Sequence, residues 1–482
     1  MKLLMLAPIL LPLLSAMLTA LSWRRRRLQL GLSLAGAVLF LLSALGLLFE
    51  VLAGGSLHMS MGNWAAPFGI EFVIDPLAAG MILVTAVMGL SALLFQLCDA
   101  DSAPHDPVLY PLVHAMLAAV SGAFSTADLF NLYVWFELML VSSLGLLVYR
   151  GGAKNLEAAL KYFVLNALGT LFLLIAIAYL YSMTGQLNFA GLSAVASASG
   201  QQNWLPFLVL LMLAFLVKSG AFPLFAWLPA SYHTLPAPLL ALFAGLLTKV
   251  GVYALLRVFA GVFPESPTLL YDALAWVAAA TMLVGVLGAA YHWDLRRILA
   301  FHIVSQIGYM LLGIALHTQA GHSATIFYII HHIVVKANLF LVAALIFRRG
   351  GSYDLRRLGG LYARRPGLAL LFAIPALSLV GIPPLSGFWA KFLVLREAFG
   401  QGELVFALIA LLVGLLTLYS MAKIWLEAFW KQHPSAEPVQ GPSLGLGYAV
   451  SAALALLTLF FGILPEYLLS FADTASALMG AR

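Results

Sequence analysis

Runs of about twenty apolar residues, bounded by charges, prolines and glycines, recur from one end of this 482-residue chain to the other. A run of about that length carries a helix across the hydrocarbon core of a bilayer. A soluble fold is excluded by the same count: only 9% of the residues are charged, where a soluble surface calls for about 25%. Secreted, cytosolic and disordered chains are ruled out with it. The single cysteine, Cys98, leaves nothing to form an internal disulfide or a zinc or iron–sulfur site. No thiolate-held redox centre is therefore expected, and no cofactor or metal is assigned to the chain. The formal charge of +6 comes mostly from short Lys and Arg clusters between apolar runs, which points to membrane topology rather than to nucleic acid.

The runs predict an all-α polytopic membrane protein. Spans are expected near 2–20, 28–50, 72–97, 107–125, 128–149, 157–184, 204–228, 236–260, 270–291, 297–317, 323–347, 368–396, 403–431 and 444–473, about fourteen in all. The longest pieces between them, 51–71, 183–203 and 431–443, are too short to fold as independent domains.

Short loops rich in Lys and Arg stay in the cytoplasm. If Arg24 to Arg27 mark an inner loop, alternation gathers Arg150, Lys154, Arg296, Arg297, Arg348, Arg349, Arg356, Arg357, Arg364, Arg365 and Lys431 on the same side. Segments 51–71 and 183–203 contain no Lys or Arg. Both termini then lie on the outer side of the plasma (inner) membrane. The first span resembles a signal peptide, but the four arginines after it predict a retained anchor.

An ionisable residue at the bilayer centre costs about 2.5–3.5 kcal/mol. Glu137, Lys218, Lys249, Lys336 and Lys391 all fall near mid-span, a combined cost on the order of 10 kcal/mol that calls for a function. A purely structural buried ion pair is the alternative for each. His332 lies four residues before Lys336, on the same helix face, whereas His331 points about 100° away. Other polar residues read more plainly. Lys423 and Glu427, at i and i+4, fit a helix-surface ion pair or snorkelling. Asp75, Asp128 and Asp294 sit near span ends, where capping or loop pairing is the default. His114, His302 and His322 fit satisfied polar groups inside a bundle, and Lys154 and Lys161 fit inner-face anchors.

Lys218-Ser-Gly-Ala-Phe-Pro223 and Gly381-Ile-Pro-Pro-Leu-Ser-Gly387, the latter just before Lys391, each predict a helix break beside a buried lysine. Broken helices in corresponding positions of two halves mark a midplane transport path. The breaks fall in the seventh and twelfth spans. Five spans apart, those helices run in opposite directions, as two inverted five-helix repeats require. The chain then divides into a three-helix segment over 1–106, repeats over 107–260 and 261–431, and a last helix within 432–482. At an effective dielectric of about 20, a Glu–Lys pair gains roughly 4 kcal/mol at 4 Å but under 2 kcal/mol at 10 Å. Movement of Glu137 toward and away from Lys218 would therefore switch that lysine's hold on a proton, with Lys249, His332, Lys336 and Lys391 as the relay.

These residues resemble the antiporter-like subunits shared by Mrp-type Na⁺/H⁺ antiporters and respiratory complex I. The resemblance covers most of the chain. It rests on Trp135-Phe-Glu137-Leu, the segment Lys218 to Pro229, Thr248-Lys249-Val-Gly-Val-Tyr253, Asp294 to Tyr309, His332-Ile-Val-Val-Lys336 and Gly381 to Lys391. Asn63-Trp-Ala-Ala-Pro-Phe-Gly-Ile70 followed by Phe72-Val-Ile-Asp75 is most similar to the D-type branch of the Mrp subunits. Lysine at 391, where one complex I relative has glutamate, leans the same way. So does the short stretch after the last span, with neither the lateral helix of the largest complex I relative nor the C-terminal extension of the A-type Mrp chain. The resemblance implies fourteen helices with inverted repeats of spans 4–8 and 9–13, and a proton role for Glu137, Lys218, Lys249, His332, Lys336 and Lys391. It further implies H⁺ and Na⁺ as the transported ions and other Mrp subunits as partners.

Two functions remain open at this point. One is a proton-translocating subunit of a multisubunit Na⁺/H⁺ antiporter. The other is a proton-pumping membrane-arm subunit of an NADH:quinone oxidoreductase or membrane-bound hydrogenase. The chain itself is not expected to be an enzyme, since a lone Gly445-Leu-Gly447 inside an apolar span is a weak nucleotide signal.

Overall fold

The computed structural model describes residues 2–100, 106–199, 204–432 and 445–479. Eleven helices among the described residues are long and apolar enough to cross a membrane. Their surroundings differ. The cores of Ala237–Val262 and Gln319–Gly350 are buried throughout, whereas Lys2–Leu21, Arg26–Gly54 and Ala153–Thr184 leave most of their apolar surface outward. A helix apolar on every face belongs inside a bundle or in lipid, so these two sets read as the centre and the rim. The central helices carry Lys249, His332 and Lys336.

The expected spans 204–228 and 368–396 are each interrupted. Leu205–Ser219 ends at Gly220 and Pro366–Val380 ends at Gly381, both glycines left-handed with φ of 75° and 96°. The stops are the same: each glycine N–H donates back into the last turn, and the next residue's N–H donates to Leu216 O or Leu377 O. This is the Schellman arrangement, which needs a residue at ease with positive φ.

A second correspondence lies at two helix starts. Asp128 caps Leu129–Val148 and Asp294 caps Leu295–Ala315 through their carboxylates, as expected. Each aspartate also pairs backbone to backbone with a residue beyond the following two helices, Asp128 with Asn188 and Asp294 with Asp354. A third is the π-helical stretch late in two spans, Arg257–Val262 and Leu426–Trp430.

Some local structure departs from an all-helical reading. The segment 51–71 contributes to a two-stranded antiparallel sheet, Leu57–Ser60 against Glu71–Ile74, whose edge continues through Phe72 to Thr126. Ala127 N–H donates to Glu71 O, so the hairpin satisfies backbone groups beside the start of Leu129–Val148. The segment 183–203 contains an eleven-residue helix, Phe189–Ser199. The expected span 444–473 is two helices, Gly445–Ile463 and Pro465–Met479, because a proline suits a helix start and not its interior. The stretch 433–443 lies outside the described residues.

Candidate functional site

Lys218, Lys249, His332, Lys336 and Lys391 are all buried. Lys218 ends the first half of a broken helix, its Nζ 5.4 Å from the Phe136 ring centre. Glu137, the next residue after Phe136, is half-buried and lies within electrostatic range of Lys218, and among the described residues it makes no ion pair. Glu137 thus acts on Lys218 electrostatically, with no ion pair between them among the described residues.

Ala237–Val262 carries the line inward. A Cβ built at Gly251 would fall 3.0 Å from Lys218 Cβ, so this helix lies directly against the break. Lys249, on the same helix, donates to Ala244 O at 2.6 Å and Thr248 Oγ1 at 3.2 Å. Phe243–Leu247, just before it, is π-helical, the widened turn often found at functional sites. This turn packs on Gln319–Gly350, with Ile333 Cγ2 3.6 Å from a Cβ placed at Gly245. Lys249 and Lys336 interact electrostatically with each other and with His332.

The next stretch is where reading the sequence fell short. His302, Ser305, Gln306 and Tyr309 stand at i, i+3, i+4 and i+7 on Leu295–Ala315, one polar stripe on an apolar helix. Thr325, Tyr328, His332 and Lys336 form another on Gln319–Gly350. The stripes face each other: Tyr328 Oη donates to Gln306 Oε1 at 2.6 Å, and Thr325 Oγ1 to Met310 O at 3.2 Å. His302, read as a satisfied polar group, bonds Ser420 Oγ at 2.7 Å through Nε2, and among the described residues its Nδ1 has no partner. It lies within electrostatic range of both Lys336 and Lys391. The helical spacing of each stripe was the available signal.

Lys391 follows the second break and reaches back across it, donating to Val380 O at 2.9 Å with Nζ 5.1 Å from the Tyr309 ring centre. His331, the weaker of the adjacent histidines by sequence, bonds Ser386 Oγ at 2.8 Å within that same break. The break depends on close approach: a Cβ at Gly387 would lie 1.7 Å from Ser378 O. Gly387→Ala is expected to destabilise the protein by about 1–3 kcal/mol or more, read as a lower melting temperature in detergent. An unchanged melting temperature would contradict this packing.

Along the facing stripes Lys336 Nζ, both His332 ring nitrogens, Ser305 Oγ and Gln306 Nε2 are buried without a protein partner among the described residues. Leaving such groups unsatisfied costs about 1–3 kcal/mol each, and ordered water is their usual partner. Ammonium, imidazole, hydroxyl and amide groups bridged in this way can hand protons from one to the next.

Lys423 and Glu427 read differently from expectation, and Asp75 does more than the capping expected of it. Lys423 does not pair with Glu427: it donates to the carbonyls of Ala290 and His292, both at 2.7 Å, while Glu427 pairs with Lys431 at 2.8 Å. Those carbonyls end Thr268–Tyr291 and lack helical partners, so a cation is favoured there. Asp75 caps its helix through Ala78 N–H and also forms a buried ion pair with Arg257, which bonds Tyr253 Oη as well. An arginine in the expected span 236–260 was a signal for this pair. His114 bonds Ser33 at 2.9 Å, away from the line.

The family described as NADH:quinone oxidoreductase/Mrp antiporter, TM matches residues 126–417. The chain is 40% identical over 475 residues to the D subunit of the Na(+)/H(+) antiporter of Alkalihalophilus pseudofirmus, covering 98% of this chain and 96% of that protein. Among solved structures it matches a chain of the Mrp complex from Dietzia sp. DQ12-45-1b with a TM-score of 0.92 at 33% identity, covering 99% and 98% of the two chains. A chain of the membrane-bound sulfane sulfur reductase, an archaeal respiratory membrane complex, gives a TM-score of 0.93 at 26% identity, with the same coverage. With its broken helices and buried lysines in place, this chain belongs to the family of membrane subunits shared by NADH:quinone oxidoreductases and Mrp antiporters.

Proposed function

We propose that the chain is the D-type component of a multisubunit Na⁺/H⁺ antiporter, moving protons along the mid-membrane line while the complex expels cation. The observation that carries this is the line itself: buried cations and unpartnered polar atoms run from one broken helix to the other, in a chain alike over nearly its whole length to the D subunit of a Na(+)/H(+) antiporter. Lys218 takes up and releases the proton as Glu137 approaches and withdraws. Lys249, His332, Lys336 and Lys391 relay it, with His302 bridging the last two. Partner subunits of the Mrp type complete the assembly, and both termini lie on the outer side of the plasma membrane.

The repeats run over 107–260 and 261–431, flanked by the segments 1–106 and 432–482. Matching glycine stops, aspartate starts and π-helical ends, each five spans apart, support this division.

The test uses everted vesicles carrying the whole subunit set. Added Na⁺ is expected to dissipate a pre-formed pH gradient, and omission of this chain to remove that response. Pumping driven only by NADH or hydrogen, with no response to Na⁺, would overturn the antiporter reading in favour of the respiratory one.

A further inference from the structure

A cavity of about 1180 Å³ opens at the membrane face to which the Lys and Arg clusters were assigned, between the start of Ala153–Thr184, the segment after the first break, and the turn joining Thr268–Tyr291 to Leu295–Ala315. None of the proton-line residues lines it. Its carboxylates are already matched: Glu157 with Lys161 at 2.5 Å, Asp294 with Arg296 at 3.5 Å and Asp354 with Arg356 at 2.9 Å. Lys154 and Arg297 also line the cavity, and the side chain of neither has an anionic partner among the described residues. The cavity therefore holds two positive charges in excess.

Several features prepare it for a multiply charged oxyanion. The Arg296 guanidinium stacks 4.1 Å from the Tyr353 ring centre and that of Arg356 lies 5.9 Å from the Trp293 ring centre, which restrains both forks. Arg296 Nε is buried and, among the described residues, has no partner. Ala153–Thr184 starts at the rim with no side-chain cap, and the first amides of a helix favour negative charge. His233 and His292, also in the wall, are both held below the ordinary histidine range, first by burial and then by Arg297. Arg297's field is thus felt on two sides of the cavity.

The cavity's depth argues for the source of the anion. Tyr291 and Trp293 line it and are exposed, as aromatic residues are at the level of lipid headgroups. Phe225 and Phe301 add apolar wall. Basic pockets between membrane helices take anionic headgroups, and the guanidinium fork matches phosphate bidentately. We infer that this cavity is a binding site for a phosphate-bearing anion, Lys154, Arg296 and Arg297 being its principal ligands, and that the anion is the headgroup of an acidic phospholipid.

The experiment uses the intact complex, purified in detergent and examined by native mass spectrometry after addition of phosphatidylglycerol, phosphatidylcholine or inorganic phosphate. Phosphatidylglycerol is expected to be retained on this chain, and Lys154→Ala with Arg297→Ala to weaken retention about tenfold or more. Lys154→Arg with Arg297→Lys is expected to keep most of it, which separates loss of charge from loss of fold, since assembly is read in the same spectra. Inorganic phosphate binding with the same dependence would support the site and assign it a soluble anion. Equal retention of phosphatidylcholine, or indifference of anion retention to the alanine pair, would overturn the proposal.

Discussion

Lys218→Ala is expected to abolish Na⁺-driven proton movement by the assembled complex while leaving the chain in the membrane at its usual amount. The ammonium group is buried at the end of a half-helix, with the Glu137 carboxylate within electrostatic range. Alanine leaves no atom there to bind a proton, and a lost proton-transfer group typically costs about a hundredfold or more in rate. Insertion should survive, because the break is set by the Gly220 stop and the Trp227 indole N–H donating to Val217 O at 3.1 Å. Lys218→Arg separates two roles. Arginine keeps the charge but does not release its proton near neutral pH, so it too should be inactive if Lys218 cycles between protonation states, and active if only a fixed charge is needed. Glu137→Ala should match Lys218→Ala. Normal antiport in both alanine variants, measured as pH-gradient collapse on adding Na⁺, would remove these residues from the proton path.

The second large effect falls on stability. Arg257→Leu would strand Asp75 in the interior, and breaking a buried ion pair from one side costs about 3–5 kcal/mol. The pair ties the start of the helix that begins at Pro76 to the π-helical end of the helix carrying Lys249. Tyr253 Oη extends the tie to Phe124 O at 2.7 Å. Replacing both charges, Asp75→Leu with Arg257→Leu, should recover much of the loss, since no orphaned ion is left. The four proteins form a double-mutant cycle, read by denaturation in detergent. A single variant as stable as the original, or a double variant no better than the singles, would contradict the ion pair as drawn.

Much of this protein is readable from its apolar runs because the bilayer imposes a length and a hydrogen-bond requirement on each crossing segment independently of the others. The buried lysines announced themselves in the same way, since a charge in a long apolar run is conspicuous without any knowledge of its neighbours. The two breaks were legible too, as glycine and proline act on their own backbone. The hairpin at Leu57–Ser60 and the helix at Phe189–Ser199 were less so, being short and without a strong periodic signature.

Partners were another matter. Lys423 stands four residues from Glu427 yet bonds carbonyls more than a hundred residues earlier, and Asp75 finds Arg257 across 182 positions. His302 looked like an isolated core histidine until Leu295–Ala315 was set against Gln319–Gly350, where it joins two facing polar stripes. The chain's own composition and local spacing determined that it crosses the membrane many times, where its helices stop, and which charges lie at lipid depth. Only the tertiary structure decided which of those charges meet, which are satisfied by distant carbonyls and which are left without a protein partner. The reason is that helix formation and membrane insertion are local, whereas pairing depends on which helix faces pack together.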